Sequence, residues 1–340
     1  MASQPSGRTT IAVIAAEAGV SVPTVSKVLN GRPDVSPRTR ATVEEVLARH
    51  QYRRRGRGPA SSGPPLLDLC FHEFDNDWAL EIIRGVEAAA AEHGIGVVLS
   101  ELGGRHRPEQ SWLDAVLARR PIGVLLAQSS LSAGQRHQLE SRSIPFVVID
   151  TEGELPKDVP TVGSNNWHGG LAATSHLIEL GHRRIAMISG PSDVLCSRAR
   201  VDGYRSAHDN AGVATDPALV RWGDFSVSAG YEHGLALLSL PERPTAIFAG
   251  SDLQALGVLR AARERGLEVP RDVSVVGYDN LPLTEWVGPA LTTVDQPLQA
   301  MSRTATQMLV ALARGQEPPL RRVELATELV VRESSAPPAA

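Results

Sequence analysis

The sequence predicts a small all-helical head joined by a flexible linker to a large α/β body of two lobes. Three observations lead there. Charge is unevenly divided: residues 1–65 hold ten basic and four acidic side chains, a balance of +6, and the remaining 24 and 34 leave −10 in residues 66–340, within a net charge of only −4. Low-complexity sequence occurs at one internal place, Arg53 to Pro65, reading RRRGRGPASSGPP. Beyond it, short apolar runs alternate with helical patterns, which argues for parallel βαβ units. The chain of 340 residues has room for two or three domains.

In the head, Thr10 is placed to cap a helix whose apolar residues Ile11, Ile14, Ala15 and Ala18 follow helical spacing. Gly19 supplies the left-handed residue that a tight turn requires. Ser21 caps a second helix, with Pro23 in the first turn, where a missing N–H does no harm. Val25, Val28 and Leu29 form its buried stripe, and Asn30-Gly31 end it. Ser36-Pro37 opens a third helix that buries Val43, Val46, Leu47 and the ring edge of His50. Two short helices joined by Gly-Val-Ser, with a third closing the core, match the DNA-binding helix-turn-helix. A small structural bundle is the alternative, and a basic terminus before an Arg-rich linker weighs against it.

Gly, Pro, Ser and Arg without an apolar period cannot build a core, so residues 53–65 read as a linker. By the same reasoning SSAPPAA makes residues 333–340 a disordered tail. The body opens with the strand LLDLCF (66–71) and a helix from Trp78 to His93 closed by Gly94. GVVLSE (96–101), a helix over Gln110 to Arg119, IGVLLA (122–127) and PFVVID (145–150) follow. A second series runs through a helix at Gly170 to Leu180, RIAMIS (184–189), a helix around Arg198 to Asn210 and AIFAG (246–250). It continues with a helix over Leu253 to Arg265, VSVVGYD (273–279) and a late helix from Gln299 to Ala313. A nine-residue glycine spacing recurs, Gly85 to Gly94 and Gly203 to Gly212, and supports two similar lobes. Small ligands bind such sheets at the carboxyl ends of strands, where the lobes face each other.

Several functions are excluded. Composition is that of an ordinary soluble chain, 42% hydrophobic and 21% charged. Cys70 and Cys196 can form neither a disulfide framework nor a zinc cluster, so a reducing compartment is expected. No run of about 18 apolar residues exists and no signal-type block follows Met1, which predicts a cytoplasmic protein without a membrane span. Neither lysine follows the glycines of a P-loop, and Gly94-Ile-Gly96 lacks the third glycine of a dinucleotide loop. No HExxH or GxSxG occurs, and the histidines lack metal-ligand spacing. Asp75 and Asp77 are adjacent loop carboxylates of a kind usually solvated or capping. The expectation is a protein that is no enzyme and takes no cofactor or metal.

TTIAVIAAEAGVSVPTVSKVLNG (9–31) resembles the head signature of the LacI/GalR family of bacterial transcriptional regulators, with AGVS, TVS and VLNG in register. FDNDWALEIIRGVE, HLIELGHRRIAMISGP, RARVDGYR, VSVVGYDN and ALTTVDQP resemble the effector domain of the same family. That domain has two Rossmann-like lobes of the periplasmic-binding-protein-like type I. The likeness spans residues 9 to 330 and implies a helix-turn-helix at 8–52, a hinge linker at 53–65 and an effector-binding and dimerisation domain at 66–332. It puts one lobe at 66–162 plus 293–320 and the other at 163–292 plus 321–332.

The resemblance places Val22, Pro23 and Lys27 against base edges in the major groove, and Ser21, Thr24, Ser26 and Asn30 mainly on phosphates, with Thr10 in the same interface. Val22 and Pro23 suit a thymine methyl, and Lys27 suits guanine O6/N7. Relatives usually carry Arg at the Lys27 position and Asp at that of Val13. After the tyrosine that Tyr52 represents, they usually have an Asn, an Ala and a Leu that wedges into the minor groove. Residues 53–65 contain no Leu, and their glycines and prolines oppose a helix. Arg53, Arg54, Arg55 and Arg57 are therefore expected to follow the minor groove and its phosphates electrostatically, with a plain solvated tether as the alternative.

In the body the likeness transfers effector contacts to Phe74, Asp75, Asn76 and Trp78 on the loop after the first strand, and to Asp150, Arg200, Phe225 and Asp279. Ser251, where relatives often have Asn, and Gln296 are further positions. Carboxylates and Arg suit paired sugar hydroxyls, and aromatic faces suit their C–H surfaces. Trp78, Trp167, Trp222, Phe74 and Phe225 fall in or beside predicted cleft loops, although for each a core role is as common. Asp150 and Asp279, at strand ends, could instead cap the next helix or brace the lobes. The implied function is a repressor of carbohydrate uptake or breakdown genes. It would bind a pseudo-palindromic double-stranded operator as a homodimer and leave it when a mono- or oligosaccharide fills the cleft. A purine or phosphorylated metabolite acting as corepressor, or a receptor without operator recognition, are the alternatives.

Overall fold

The computed structural model describes residues 10–29, 35–50, 64–73, 76–103, 107–151, 153 and 155–339. Asn30, Arg53, Arg54, Arg55, Arg57, Phe74 and Asp75 lie outside the described residues. The head has α1 (Ile11–Glu17), α2 (Val22–Leu29) and α3 (Pro37–Arg49). Ile14, Ala15, Val25, Val28, Leu29, Val43 and Val46 close one small core. Gly19 takes φ +64° in the first turn, and the α1 and α2 axes bend by 105°, a helix-turn-helix angle. Ser36 accepts the Thr39 N–H at 3.1 Å with Pro37 in the first turn of α3.

Two expectations about the head fail. Thr10 stands at the N-cap of α1, but its side chain makes no capping bond. His50 does not simply bury a ring edge: it hydrogen-bonds Glu17, which also takes Arg49 at 2.8 Å. The His50 hydrogen bond, followed by the nearby charges of His50 and Arg49, holds the Glu17 carboxyl below its ordinary range and ties α3 to α1.

The first lobe begins with β1 (Leu66–Phe71), α4 (Asp77–Ala91), β2 (Gly96–Glu101), α5 (Gln110–Arg119), β3 (Gly123–Ala127), α6 (Ala133–Ser141), β4 (Phe146–Ile149) and β5 (Thr161–Ser164). The chain then crosses to the second lobe through α7 (Asn166–Glu179), β6 (Ile185–Ser189), α8 (Leu195–Ala211), β7 (Val220–Trp222) and α9 (Val227–Leu238). There β8 (Ala246–Ala249), α10 (Asp252–Glu264), β9 (Ser274–Asp279) and β10 (Thr292–Asp295) follow. It returns with α11 (Leu298–Ala313) and β11 (Arg322–Leu325), and crosses once more to β12 (Glu328–Val330).

The first sheet has the order β11-β5-β4-β3-β1-β2 and is parallel throughout. The second has the order β12-β10-β9-β8-β6-β7, with only β12 antiparallel. Apart from the direction of that last strand, the two lobes repeat one doubly wound pattern. Leu67, Leu69 and Phe71 of β1 pack with Ile82 and Val86 of α4 and Leu309 of α11, while Cys70 joins Leu113, Val116 and Leu139 on the opposite face. In β6, Ala186 and Ile188 pack toward α9 and α10, and Ile185 and Met187 toward α7 and α8. Cover on both faces is why these strands read as unbroken apolar runs.

The glycine repeat has one cause in both lobes. Gly94 and Gly212 follow their helices at φ +64°, where a side chain would be strained. A Cβ on Gly85 would lie 2.7 Å from Ser302 Cβ of α11, and one on Gly203 would lie 2.6 Å from the Leu171 backbone nitrogen of α7. Each pair marks a tight helix crossing followed by a left-handed turn.

The structure differs from the expected boundaries in three places. First, α7 starts at Asn166 rather than Gly170, because Asn165 accepts the His168 N–H at 2.9 Å and caps it. The short strands β5, β10, β11 and β12 and the helices α6 and α9 were not expected: the strands are three or four residues long, and α6 is polar and buries only Gln135 and Leu139. Second, β11 pairs with β5 in the first sheet and β10 with β9 in the second, the reverse of the lobes expected for residues 321–325 and 293–295.

Third, residues 333–339 are no disordered tail. Ser334 is fully buried; its Oγ donates to the Val275 carbonyl at 2.6 Å and accepts the Thr292 N–H at 2.8 Å. His182 Nε2 lies 2.9 Å from the Ala336 carbonyl. Small residues and prolines carry no period, yet their backbone completes the base of the second sheet. Ser334→Ala should lower unfolding free energy by about 1–3 kcal/mol, because two buried backbone groups lose their partner. An unchanged urea midpoint would show that the strap adds nothing. Among the described residues no single helix is long and apolar enough to cross a membrane.

Candidate functional site

The first site is the outer face of α2. Ser21 accepts the Thr24 N–H at 3.3 Å and shares a 2.8 Å hydrogen bond with its hydroxyl, which secures the first turn. With Val25, Val28 and Leu29 turned inward, Val22, Pro23 and Lys27 are exposed and Thr24 and Ser26 half-buried. Val22 leaves 40% of its surface in water, a considerable exposure for an apolar residue and consistent with contact to another molecule. Thr10 and Ser21 are exposed as well.

The second site is a cavity of about 370 Å³ between the lobes, within the range of small-molecule pockets. Its walls are the carboxyl ends of β1, β3, β4, β6, β7, β8 and β9 and the turns that follow. Asn76, Trp78, Asp150, Arg200, Phe225, Ser251 and Asp279 all line it. Asn76 and Ser251 have structural duties too: each caps its helix, accepting the N–H of Ala79 at 3.0 Å and of Gln254 at 3.1 Å. Ser251 Oγ also donates to the Phe225 carbonyl at 3.1 Å. The Phe225 ring lies directly against Gly190, where any Cβ would collide with it.

Arg200 is the buried centre of the site. Its Nε donates to Asn166 Oδ1 at 2.8 Å, Nη1 donates to the Gly250 carbonyl, and the guanidinium lies 3.6 Å over the Tyr278 ring. Asp279 Oδ1 is 3.9 Å from Nη1. Asp150 and Asp279 sit at strand ends with φ of +52° and +114°, and Gln128 and Asn280 are also left-handed at +46° and +55°. Such conformations cost about 1–3 kcal/mol each and concentrate where a side chain must be aimed. Asp150 Oδ2 meets no partner in good hydrogen-bond geometry although the residue is only 5% exposed, while Gln296 and Gln128 lie near enough to stabilise the carboxylate. Burial pushes both carboxyls above the usual range, and Arg200 is the largest opposing influence on each.

Three sequence candidates are not part of the lining. Gln296 is buried behind it, donating to Ser164 Oγ at 3.0 Å where the chain changes lobes. Trp222 joins the core on the α7–α8 side, and Trp167, on α7, is 43% exposed away from the cavity. The structure adds His72, Glu73, Gln128, Thr151, Cys196 and Asp224, among others. Glu73, Gln128 and Thr151 closely follow predicted strands, so the strand-end rule could have named them. Cys196 had no such signal; burial pushes its thiol up to about 12, which makes it an inert wall. No cluster of His, Cys, Asp or Glu suited to a metal occurs among the described residues.

Asp252 supports this site from below. It accepts the Leu281 N–H at 2.8 Å and the Thr293 hydroxyl at 2.5 Å, in space that any Cβ on Gly277 would fill. Leu281 in turn packs into the first-lobe core beside Trp78 and Ile82, so this carboxyl helps join the lobes. Burial raises it from 3.8 to about 7, outweighing those hydrogen bonds. The folded chain then holds a proton that the unfolded chain releases between about pH 4 and pH 7. Its contribution to stability is therefore greatest at the acidic end of that window and falls as pH rises through it. Urea midpoints of the wild type should fall relative to Asp252→Asn as pH rises from about 5 to about 7.5. A constant difference would mean a carboxyl ionised throughout.

Two family descriptions match the chain: "Bacterial regulatory proteins, lacI family" over residues 10–55 and "Periplasmic binding protein-like domain" over residues 174–335. The HTH-type transcriptional repressor CytR of Escherichia coli (strain K12) is 33% identical over 324 residues, 95% of each chain. The structure of the transcriptional regulator CelR–cellobiose complex superposes with a TM-score of 0.72 at 35% identity, covering 96% of this chain and all of that one. The lac repressor dimer bound to operator and the anti-inducer ONPF gives 0.70 at 26% identity, covering 97% and 100%. A head that presents an exposed α2 and a two-lobed body with a polar cleft thus occur together along the whole length of known regulators, and the chain belongs to the lacI family of DNA-binding bacterial transcriptional regulators.

Proposed function

We propose that the chain represses genes of carbohydrate uptake or breakdown and leaves its operator when a mono- or oligosaccharide fills the cleft. The observation that carries this reading is the meeting of the buried Asp150 carboxyl, whose Oδ2 has no partner in good hydrogen-bond geometry, with Arg200 and the Phe225 ring in one cavity. Carboxylate, guanidinium and aromatic face together suit the hydroxyls and C–H surface of a sugar. The relative CelR binds cellobiose, which makes a β-linked disaccharide the first ligand to try. In the head, Val22, Pro23 and Lys27 read base edges, while Thr10, Ser21, Thr24, Ser26 and Asn30 hold the backbone. Arg53, Arg54, Arg55 and Arg57 follow the minor groove.

A homodimer sets two heads on successive half-sites. Trp286, 85% exposed, supports this assembly, since so large an apolar side chain is seldom left in water. The test is a pair of titrations after selecting an operator from random duplex DNA. Sugar should weaken operator binding by a factor of about 5–150, and operator should weaken sugar binding by the same factor. Equal sugar affinity with and without operator would rule that sugar out as inducer, and tighter operator binding would make it a corepressor.

A further inference from the structure

The turn after β9 reaches from the cavity of the second lobe into the core of the first. Asp279 lines the cavity. Leu281, two residues on, is 1% exposed among Trp78 and Ile82 of α4 and Leu298 of α11. Leu253, in the first turn of α10, and Leu283 pack against the same core. Three second-lobe leucines thus enter the first lobe, and Leu281 is the most buried of them. Trp78 and Leu253 also line the cavity, so the seat of Leu281 lies directly behind its wall.

Between Asp279 and Leu281 the chain has little freedom. Asp279 and Asn280 are both left-handed, at φ +114° and +55°, a costly conformation that persists only where the surroundings fix it. Asn280 Nδ2 donates to Asp295 Oδ1 at 2.8 Å, where the chain turns back to the first lobe, and Asn280 Oδ1 accepts from Arg332 Nη2 at 2.8 Å. The Leu281 N–H donates to Asp252 at 2.8 Å, and its carbonyl accepts the Thr284 hydroxyl at 2.7 Å. A turn clamped at successive residues moves as one piece. Displacing Asp279 from within the cavity therefore displaces Leu281. A close-packed seat does not deform gradually: the side chain stays in it or repacks.

We propose that Leu281 is a positioning residue that couples the cleft to the packing of the two lobes, and through that packing to the head. The inference rests on the effector reading above and adds to it the side chain by which occupancy of the cleft is transmitted.

The test is the factor by which sugar weakens operator binding, titrated on the full chain with cellobiose, glucose, galactose and maltose. Leu281→Ala empties the seat and should cut that factor about tenfold, or to unity where it is smaller. Leu281→Met, nearly equal in volume, should preserve it. Leu281→Val, a milder loss, supplies the same measurement if Leu281→Ala does not fold. A lower melting temperature with the factor unchanged overturns the proposal, because a purely structural leucine behaves that way. If none of the four sugars binds the wild type, the sugar reading alone falls, and operator DNA by itself then tests Leu281. In hydrogen exchange read by mass spectrometry, operator should alter protection of α4 and residues 281–285 in the wild type but not in Leu281→Ala, while protecting the head in both. An equal change in the two chains, or none in the wild type, overturns the proposal.

Discussion

Arg200→Ala should destabilise the body by about 3–5 kcal/mol and abolish every ligand-induced rise in melting temperature. Removing the guanidinium leaves Asp279 and Asp150 buried without a counter-charge, and strips Asn166 Oδ1 and the Gly250 carbonyl of their donor. It also takes a planar cation off the Tyr278 ring, 3.6 Å away. The loss should be partly restored by Asp279→Asn in the same chain, because the uncompensated charge, more than the missing contact, is the dominant penalty. Chemical denaturation of the two single variants and the double variant measures this coupling. Strictly additive effects would show that Arg200 and Asp279 act independently.

Gly170→Ala should cost about 3 kcal/mol, from a change of one methyl group. Its Cβ would collide with the Arg200 carbonyl oxygen and lie 3.0 Å from Arg200 Cα, so the obstacle is backbone and cannot rotate away. Relief requires α8 to move from α7, and Arg200, on α8, moves with it. The variant should therefore lose ligand response along with stability. The contrasting variant is Gly134→Ala in α6, where nothing lies within 4 Å of the added Cβ. There the better helix propensity of Ala should leave stability unchanged or slightly raised. Equal melting temperatures for the two variants would refute the crossing argument. The same device recurs where α9 meets α10, at Gly230 and Gly257.

Much of the architecture was legible from local pattern. Strands covered on both faces show as apolar runs, so β1, β3, β4, β6, β8 and β9 appear almost residue for residue. Helices with a strong buried stripe, such as α4 and α11, were equally plain. The edge elements were not. Three-residue β12 and four-residue β11 contain polar residues and acquire their identity only from the strands they pair with. The strap at 333–339 is the clearest case, since its composition suggests disorder while its backbone is bonded into a sheet formed much earlier in the chain.

The candidate site divides in the same way. The sequence by itself determined the helix-turn-helix, the division of charge between head and body, and the chemistry available at the strand ends, because these follow from nearest-neighbour sterics, periodicity and residue type. Only the tertiary structure decided which of those groups meet. It brought Asp150, Arg200, Phe225 and Asp279 to one cavity, placed Gln296 behind it and Trp167 and Trp222 outside it, and revealed Asp252 beneath it. Those outcomes depend on three crossings between lobes and on glycine contacts between helices far apart in sequence. A carboxyl's burial and its distance from a guanidinium are properties of that packing, and no local pattern encodes them.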